Sequence, residues 1–237
     1  MPKLGLGNAS SSGSSMITPG IVTDNLVMKH MYPTGAVQPL SDGAAYFFNL
    51  DHIDISERTM DTDGDCCIMF WAKRTEINSE DAILAHTSTT SQQFIRFDNL
   101  TTLDVESNTN GDIANIVLPN PNTYNWHHYA IVATSGTLTA YQDGESCSVT
   151  NPGMSDDTTF NVIGAAGTNG ASKNYQGYLC NLGLWSNSFT QAQIKNLMWK
   201  SFSDLTEDEK NLGLIHWYDL SENANDPQGG NNGTVGP

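Results

Sequence analysis

Charged side chains are scarce in this 237-residue sequence, and basic ones are the scarcest of all. Asp, Glu, Lys and Arg make up 15% of the chain, against about 25% in typical soluble domains. The 26 acids outnumber the 10 bases, giving a formal net charge of -16, and the bases are scattered along the chain. Nucleic-acid binding requires a basic surface, so we expect no nucleic-acid partner.

Long apolar runs are missing as well. No stretch approaches the roughly 20 apolar residues that span a bilayer, and the start of the chain has no apolar core of a signal peptide. We therefore expect no membrane partner and a protein made in the cytoplasm. Cysteine is also rare, and its spacing fits neither a zinc site nor a disulfide framework. Reduced thiols are expected, although a disulfide between two of the four stays open; the cysteines are Cys66, Cys67, Cys147 and Cys180.

What the sequence does contain is a clear hairpin pattern. Three runs rich in β-branched and aromatic residues, 126–134, 137–142 and 145–149, are separated by Ser135-Gly136 and Asp143-Gly144. Glycine in such turns supplies the positive φ that matches the twist of the strands. The first run is apolar at both odd and even positions, which predicts a central strand covered on both faces.

These residues carry a family resemblance. Trp126-x-His128-x-Ala130 and the strand ending in Tyr141-x-Asp143-Gly144 resemble the centre of laminin-G-like domains, which are concanavalin A-like jelly-roll sandwiches. Residues 67–73 and 177–185 resemble two further strands of that family. The resemblance implies an all-β, antiparallel jelly-roll β-sandwich over residues 44–237, with a C-terminal strand and loop included.

Two short helices are predicted near 190–200 and 206–211. Thr190 with Gln193, and Thr206 with Glu209, have the spacing of capping boxes, in which the two side chains satisfy each other's backbone N–H groups. A short helix after the closing strand is also what the family resemblance implies.

Residues 1–43 are predicted to form an extended N-terminal arm. The first twenty are rich in serine and glycine and have little to bury, so neighbouring subunits would have to hold them in place. An edge strand of the same domain is the alternative. The residues expected to anchor the arm are apolar: Ile17, Ile21, Val22, Leu26, Met28 and Met31.

No catalytic residues are predicted. Glycanases of this fold carry a Glu-x-Asp-x-Glu strand, and none of the eight glutamates forms that pattern. His127 and His128 alternate between the two faces of one strand, so they cannot bind one metal ion together; His128 is expected to be a hydrogen-bonded core residue. The sequence therefore favours a protein that is not an enzyme.

Two candidate binding features remain. Asp61, Asp63 and Asp65 cluster in a glycine-containing turn, which suits calcium but equally suits a solvated cap of the next strand. No other cofactor is expected. In the rim loops 108–123 and 164–176, Tyr124 or Tyr175 could stack on a sugar.

Two functions are consistent with these features. The arm, the acidic sandwich and the absence of catalytic groups resemble virion structural proteins of tailed bacteriophages, in which such domains decorate the capsid or tail. That resemblance implies a virion location, copies of itself and other virion proteins as partners, and a host-surface glycan as a further partner. The alternative is a stand-alone carbohydrate-binding module or lectin.

Overall fold

Two stacked antiparallel sheets form the body of the protein in a computed structural model of the chain. The structure describes residues 43–76, 80–87, 93–107, 113–166 and 173–236. Within these ranges the predicted all-β jelly-roll sandwich is confirmed. The predicted arm lies outside the described residues except for Gly43, so its anchoring role stays a prediction.

The first sheet has seven strands. In chain order they are β1 (Ala45–Phe47), β3 (Cys66–Arg74), β8 (His127–Thr134), β9 (Thr137–Gln142), β10 (Glu145–Ser146), β13 (Gly177–Trp185) and β14 (Leu214–Tyr218). Their spatial order is β1-β13-β3-β8-β9-β10, and β14 pairs with β13 beyond the end of β1. This arrangement makes β1 an edge strand.

The second sheet has eight strands. In chain order they are β2 (His52–Met60), β4 (Asp81–Ala85), β5 (Phe94–Phe97), β6 (Thr102–Glu106), β7 (Ile113–Val117), β11 (Ser148–Thr150), β12 (Thr158–Ile163) and β15 (Thr234–Gly236). Their spatial order is β11-β7-β6-β5-β4-β12-β2-β15. Side chains alternate along each strand, so one set from each sheet, including Phe70, Ile131, Phe97 and Phe160, fills the core between the sheets.

The predicted central hairpin is confirmed for its first two strands. β8 lies between β3 and β9, and all its residues except Thr134 are buried. Asp143 and Gly144 both have positive φ, as a tight hairpin turn requires. The third run differs from a single strand: it leaves the first sheet after Ser146 and joins the second at Ser148, because the chain crosses between the layers there.

Both predicted helices are present and begin at their predicted caps. α1 (Gln191–Leu197) starts after Thr190, whose side chain accepts a hydrogen bond from the Gln193 N–H. α2 (Glu207–Lys210) starts after Thr206 in the same way, and a short 3-10 helix, Phe202–Asp204, lies between them. Ile194 and Leu197 of α1 pack with Trp185 and Trp217 against part of the outer face of the seven-stranded sheet.

The C-terminal segment belongs to the sandwich itself. β14 pairs with β13 in one sheet and β15 pairs with β2 in the other. Between them, the buried Asp226 carboxylate accepts hydrogen bonds from His216 Nδ1 at 2.6 Å and from four backbone N–H groups at 2.9–3.2 Å. Burial opposes ionisation, but the hydrogen bond from His216 and those from the backbone lower the pKa of Asp226 to about 2.

All four cysteines are buried, and the structure has no disulfide between Cys147 and Cys180; the reduced state stays a prediction. In the described part of the chain, no helix has the length and apolar character needed to cross a membrane.

Candidate functional site

One row of side chains crosses the outer face of the seven-stranded sheet. Strand pairing places Tyr46 of β1 opposite Tyr178 of β13, and Tyr178 opposite Lys73 of β3. His127 of β8 pairs with Ala72 of β3 in an antiparallel register. Trp126, one residue before His127, therefore lies next to Lys73 in the same row. Neighbouring strands lie about 4.8 Å apart, so the row spans about 14 Å across four strands.

The rings of this row form a continuous aromatic surface. Tyr46 and Tyr178 have ring centroids 4.8 Å apart, and Tyr178 and Trp126 have centroids 6.1 Å apart. Phe48 extends the row beyond the sheet edge, with its ring nearly parallel to that of Tyr46 at 15° and 6.3 Å. We call Phe48, Tyr46, Tyr178 and Trp126 the aromatic row.

The aromatic row is accessible to solvent. Tyr46 is 48% exposed and Phe48 is 45% exposed, whereas Tyr178 and Trp126 are half-buried. Trp199, 41% exposed, lies beside the row against the buried Trp71, with ring centroids 5.3 Å apart. Contiguous exposed apolar surface of this kind marks interaction sites. α1 packs on another part of this face, around Trp185 and Trp217, and its C-cap Met198 lies in the apolar cluster against which Trp126 packs.

The two tyrosines predicted to bind sugar have different positions. Tyr124 is 49% exposed and comes two residues before Trp126 in the chain. The prediction for Tyr175 is wrong: its side chain is fully buried, its ring stacks on Phe97 and its hydroxyl donates to the Tyr178 carbonyl at 3.0 Å. A buried ring cannot stack on a ligand outside the core.

The histidine pair contributes to the core. The His127 ring bonds to the Asp143 carboxylate at 2.6 Å, while Asp143 also accepts the His128 N–H at 2.9 Å. His128 lies edge-on to Trp71. Its Nδ1 has no hydrogen-bond partner, which corrects the expectation of a hydrogen-bonded ring. Burial lowers the pKa of His128 to about 3, so the ring is neutral.

The predicted aspartate cluster exists with one change of member. Carboxylate oxygens of Asp61, Asp63 and Asp157 lie within 4.8 Å of one another. Asp65 is not in this group, because its carboxylate accepts the Ser135 N–H at 2.8 Å. Burial, and then the neighbouring Asp63 and Asp61, raise the pKa of Asp157. Calcium binding here stays a prediction, and Asp157 replaces Asp65 in the candidate set.

A second polar feature lies on the outer face of the eight-stranded sheet. Arg96 of β5 faces Asp104 of β6 directly across the strands, and Phe94 faces Glu106. The Arg96 guanidinium lies 3.9 Å from the centre of the Phe94 ring and 3.7 Å from an Asp104 oxygen. The members of this charged cluster are Glu80, Arg96, Asp98, Asp104, Glu106 and Lys173.

The centre of the charged cluster is buried and only partly neutralised, while Glu80, Asp98 and Lys173 at its edge are partly exposed. Asp104 is 3% exposed and Glu106 is 7% exposed. One oxygen of Asp104 and the Nε of Arg96 have no hydrogen-bond partner. Burial and then the Asp98 carboxylate raise the pKa of Asp104 to about 6, although Arg96 opposes the shift. Burial also raises the pKa of Glu106.

Asp104 and Glu106 form a pair of neighbouring carboxylates, which the sequence analysis did not consider when it predicted no catalytic residues. Asp104 and Glu106 alternate on β6 and share one face, an arrangement that a pattern requiring two glutamates did not detect. Glycoside hydrolysis needs two carboxylates that flank an entering sugar. Here both side chains are nearly buried, and an Arg96 nitrogen lies 3.7 Å from an Asp104 oxygen.

Comparison with known proteins identifies the family. A laminin-G-type family model, described as the concanavalin A-like lectin/glucanases superfamily, matches residues 49–195. The match covers more than half of the chain, so the protein belongs to this superfamily. No curated protein sequence matches the chain significantly.

A solved structure agrees on the fold. A protein from Bacteroides ovatus, provisionally assigned as a carbohydrate binding protein, is 19% identical with a TM-score of 0.61; the match covers 81% of this chain and 57% of that one. Domain 4 of an extracellular arabinanase from Geobacillus stearothermophilus, solved with arabinotriose, is 13% identical with a TM-score of 0.38, covering 57% and 66%. The chain thus spans little more than half of the Bacteroides ovatus structure, and at 19% identity that likeness extends to the fold alone.

Proposed function

We propose that this protein binds carbohydrate, without cleaving it, on the aromatic row. The observation that carries the proposal is a line of four aromatic rings across one sheet face, of which two are close to half exposed. Membership of a superfamily that contains lectins supports it. Of the two functions considered from the sequence, the carbohydrate-binding alternative therefore has the better support.

The chemistry of sugars suits this surface. One face of a pyranose ring presents C–H groups with partial positive charge, and the face of an aromatic ring is electron-rich. Several rings in a row offer successive stacking positions to a chain of sugars lying across the strands. The parallel Phe48 and Tyr46 rings supply a flat end to this surface.

The test is a direct binding measurement with matched variants. A glycan array with the purified protein should identify ligands, and titration calorimetry should then compare the parent with Tyr46→Ala and Tyr178→Ala. Truncating an aromatic anchor typically costs more than 1 kcal/mol of binding free energy, so we expect each variant to bind about tenfold more weakly. Leu100→Ala is the control, because Leu100 is 40% exposed and lies outside the row.

Two results would contradict the proposal. Unchanged affinity in both tyrosine variants would place the glycan elsewhere on the protein. Release of reducing sugar by the parent, abolished in Glu106→Gln, would show an enzyme rather than a binding module.

The virion role remains a separate proposal that depends on residues 1–43. If the arm anchors the subunit to copies of itself or to other virion proteins, deletion of these residues should abolish assembly while glycan binding by the sandwich persists. Mass measurement of the purified protein, with and without residues 1–43, decides the matter. An unchanged number of subunits per particle would argue against an anchoring arm.

A further inference from the structure

Lys73 occupies the middle of the aromatic row. It faces Tyr178 across the strands, with Nζ 5.7 Å from the centre of that ring, and Trp126 is its neighbour on the other side. The alternation of β3 puts Ala72 and Arg74 inside and Lys73 on the outer face, where it is half-buried. An ammonium group therefore lies within the surface to which we assign carbohydrate binding.

This ammonium group has no carboxylate partner in the described structure, which is unusual for this protein. Among the eight lysines and arginines that the structure describes, six form ion pairs with carboxylates. Lys73 and Arg58 do not, and Arg58 donates a hydrogen bond to the Glu57 carbonyl. In a chain with 26 acids and 10 bases, a lysine without an acidic partner is the exception.

The aromatic neighbours of Lys73 make an anionic ligand group favourable. Lys73 is half-buried, with its Nζ 5.7 Å from the centre of the Tyr178 ring. A ligand stacked on the rings would exclude water there, and charge-assisted hydrogen bonds strengthen as water is excluded. A sugar stacked on Tyr178 or Trp126 would bring its substituents close to the Nζ atom of Lys73. A neutral sugar would offer that group only hydroxyl oxygens, whereas a carboxylate would neutralise it.

The overall charge limits which acidic glycans fit. At a net charge of -16, the protein repels a dense polyanion over distances of about a Debye length, roughly 8 Å at physiological salt. One isolated carboxylate placed on Nζ avoids most of that repulsion. The ligand should therefore be a mainly neutral chain with single acidic units.

We propose that Lys73 makes the aromatic row selective for glycans that carry an isolated uronic acid unit, with the uronate carboxylate bound to the Lys73 ammonium. This inference rests on the proposed carbohydrate binding and adds the class of ligand. Lys73 acts here as a specificity-determining residue, while the rings supply most of the affinity.

The experiment uses matched oligosaccharide pairs. Each pair has a xylan, galactan, mannan or glucan backbone with one uronic acid unit, and its partner is the carboxyl-reduced form, in which a hydroxymethyl group replaces the carboxylate. Titration calorimetry on the full chain at physiological salt compares the two. Partly exposed ion pairs contribute up to about 1 kcal/mol, so we expect the acidic member of at least one pair to bind about three- to fivefold more tightly.

Variants separate charge from stacking. Lys73→Gln should bind both members of the pair equally, with the affinity of the parent for the reduced form. Lys195→Gln removes the same charge from α1, where Lys195 pairs with Glu145 at 2.8 Å, and should keep the preference. Tyr46→Ala should weaken both members by a similar factor. Circular dichroism of each variant checks that the fold is intact.

The outcomes distinguish the two proposals. Equal binding of both members of every pair by the parent, or a preference that survives in Lys73→Gln, overturns the role of Lys73 and leaves carbohydrate binding standing. If no pair binds to the parent at all, the carbohydrate-binding proposal is overturned and this inference falls with it.

Discussion

The outer faces of the two sheets differ: one presents side chains available for binding, and the other contains side chains on which the stability of the fold depends. The seven-stranded sheet presents aromatic rings to solvent, with Tyr46 48% and Phe48 45% exposed. The eight-stranded sheet buries charged side chains, with Asp104 and Glu106 under 8% exposed. Exposed rings gain little from folding and are available to a ligand. Buried charges are desolvated, and the fold depends on their partners.

The first way to sharpen this comparison is Arg96→Met, which should have the largest effect on stability. The substitution removes the central cation of the charged cluster and leaves its carboxylates facing one another. Loss of one partner from a buried ion pair costs about 3–5 kcal/mol. Urea denaturation should show that loss in the free energy of unfolding. Lys195→Met, at an exposed pair, is the control and should cost under about 1 kcal/mol; similar losses in both would contradict the role of the cluster.

The next largest effect should be an increase in the free energy of unfolding, in the variant Asp104→Asn. The pKa of Asp104 is raised from 3.8 to about 6 in the folded protein, so ionisation above pH 6 destabilises the fold. The neutral variant avoids that cost, worth about 2–3 kcal/mol by the size of the shift. In urea denaturation, the variant should have a higher free energy of unfolding than the parent by the whole of this amount at pH 7.5, and the difference should be absent near pH 4. A constant difference across this range would rule out titration of Asp104 as the cause.

Replacement of Asp226 by Asn should have the opposite effect and lower the free energy of unfolding by about 2 kcal/mol. Its pKa is lowered from 3.8 to about 2, so its contribution to stability is present above pH 4 and declines as the pH falls towards 2. Asp226→Asn should therefore be less stable than the parent at pH 7, and the gap should narrow between pH 5 and pH 2.5. The physical difference from Asp104 is that four backbone N–H groups and His216 donate to Asp226. A gap that stays the same at all pH values would contradict this explanation.

The smallest effect on stability is expected in the aromatic row. The double variant Tyr46→Ala with Phe48→Ala removes two rings that are close to half exposed, and it should lower the free energy of unfolding by about 1 kcal/mol or less. The same variant should lose at least about tenfold in glycan affinity. A large loss of stability with unchanged binding would reverse the distinction between the two faces.

Local patterns predicted most of the fold. The glycine turns at 135–136 and 143–144 marked the central hairpin, and the threonine caps at 190 and 206 marked both helices, because these signals involve residues close in sequence. Burial of Tyr175 was not predicted, since a tyrosine in a glycine-rich loop gives no sign that the loop returns to the core. Asp157 was missed for a related reason: it joins Asp61 only after strands distant in sequence pair.

The candidate site was the part least accessible to sequence reasoning. Tyr46, Tyr178 and Trp126 of the aromatic row come together with Lys73 between Tyr178 and Trp126. Their adjacency depends on the register of four strands that are far apart along the chain. One signal was available. In β1, the alternation that places Phe47 in the core turns Tyr46 outward, and the exposed Phe48 follows directly after the strand. Two exposed aromatic residues at an edge strand are unusual.

The pairing of the C-terminal segment with both sheets bears on how the protein is made. β14 adds to β13, β15 adds to β2, and the loop between them is tied to His216 through Asp226. Ribosomes add about 5–20 residues per second, and residues 214–236 emerge after every other strand that the structure describes in the sandwich. Until they do, the nascent sandwich exposes the β2 and β13 edges that they cover, and holdase chaperones can bind there.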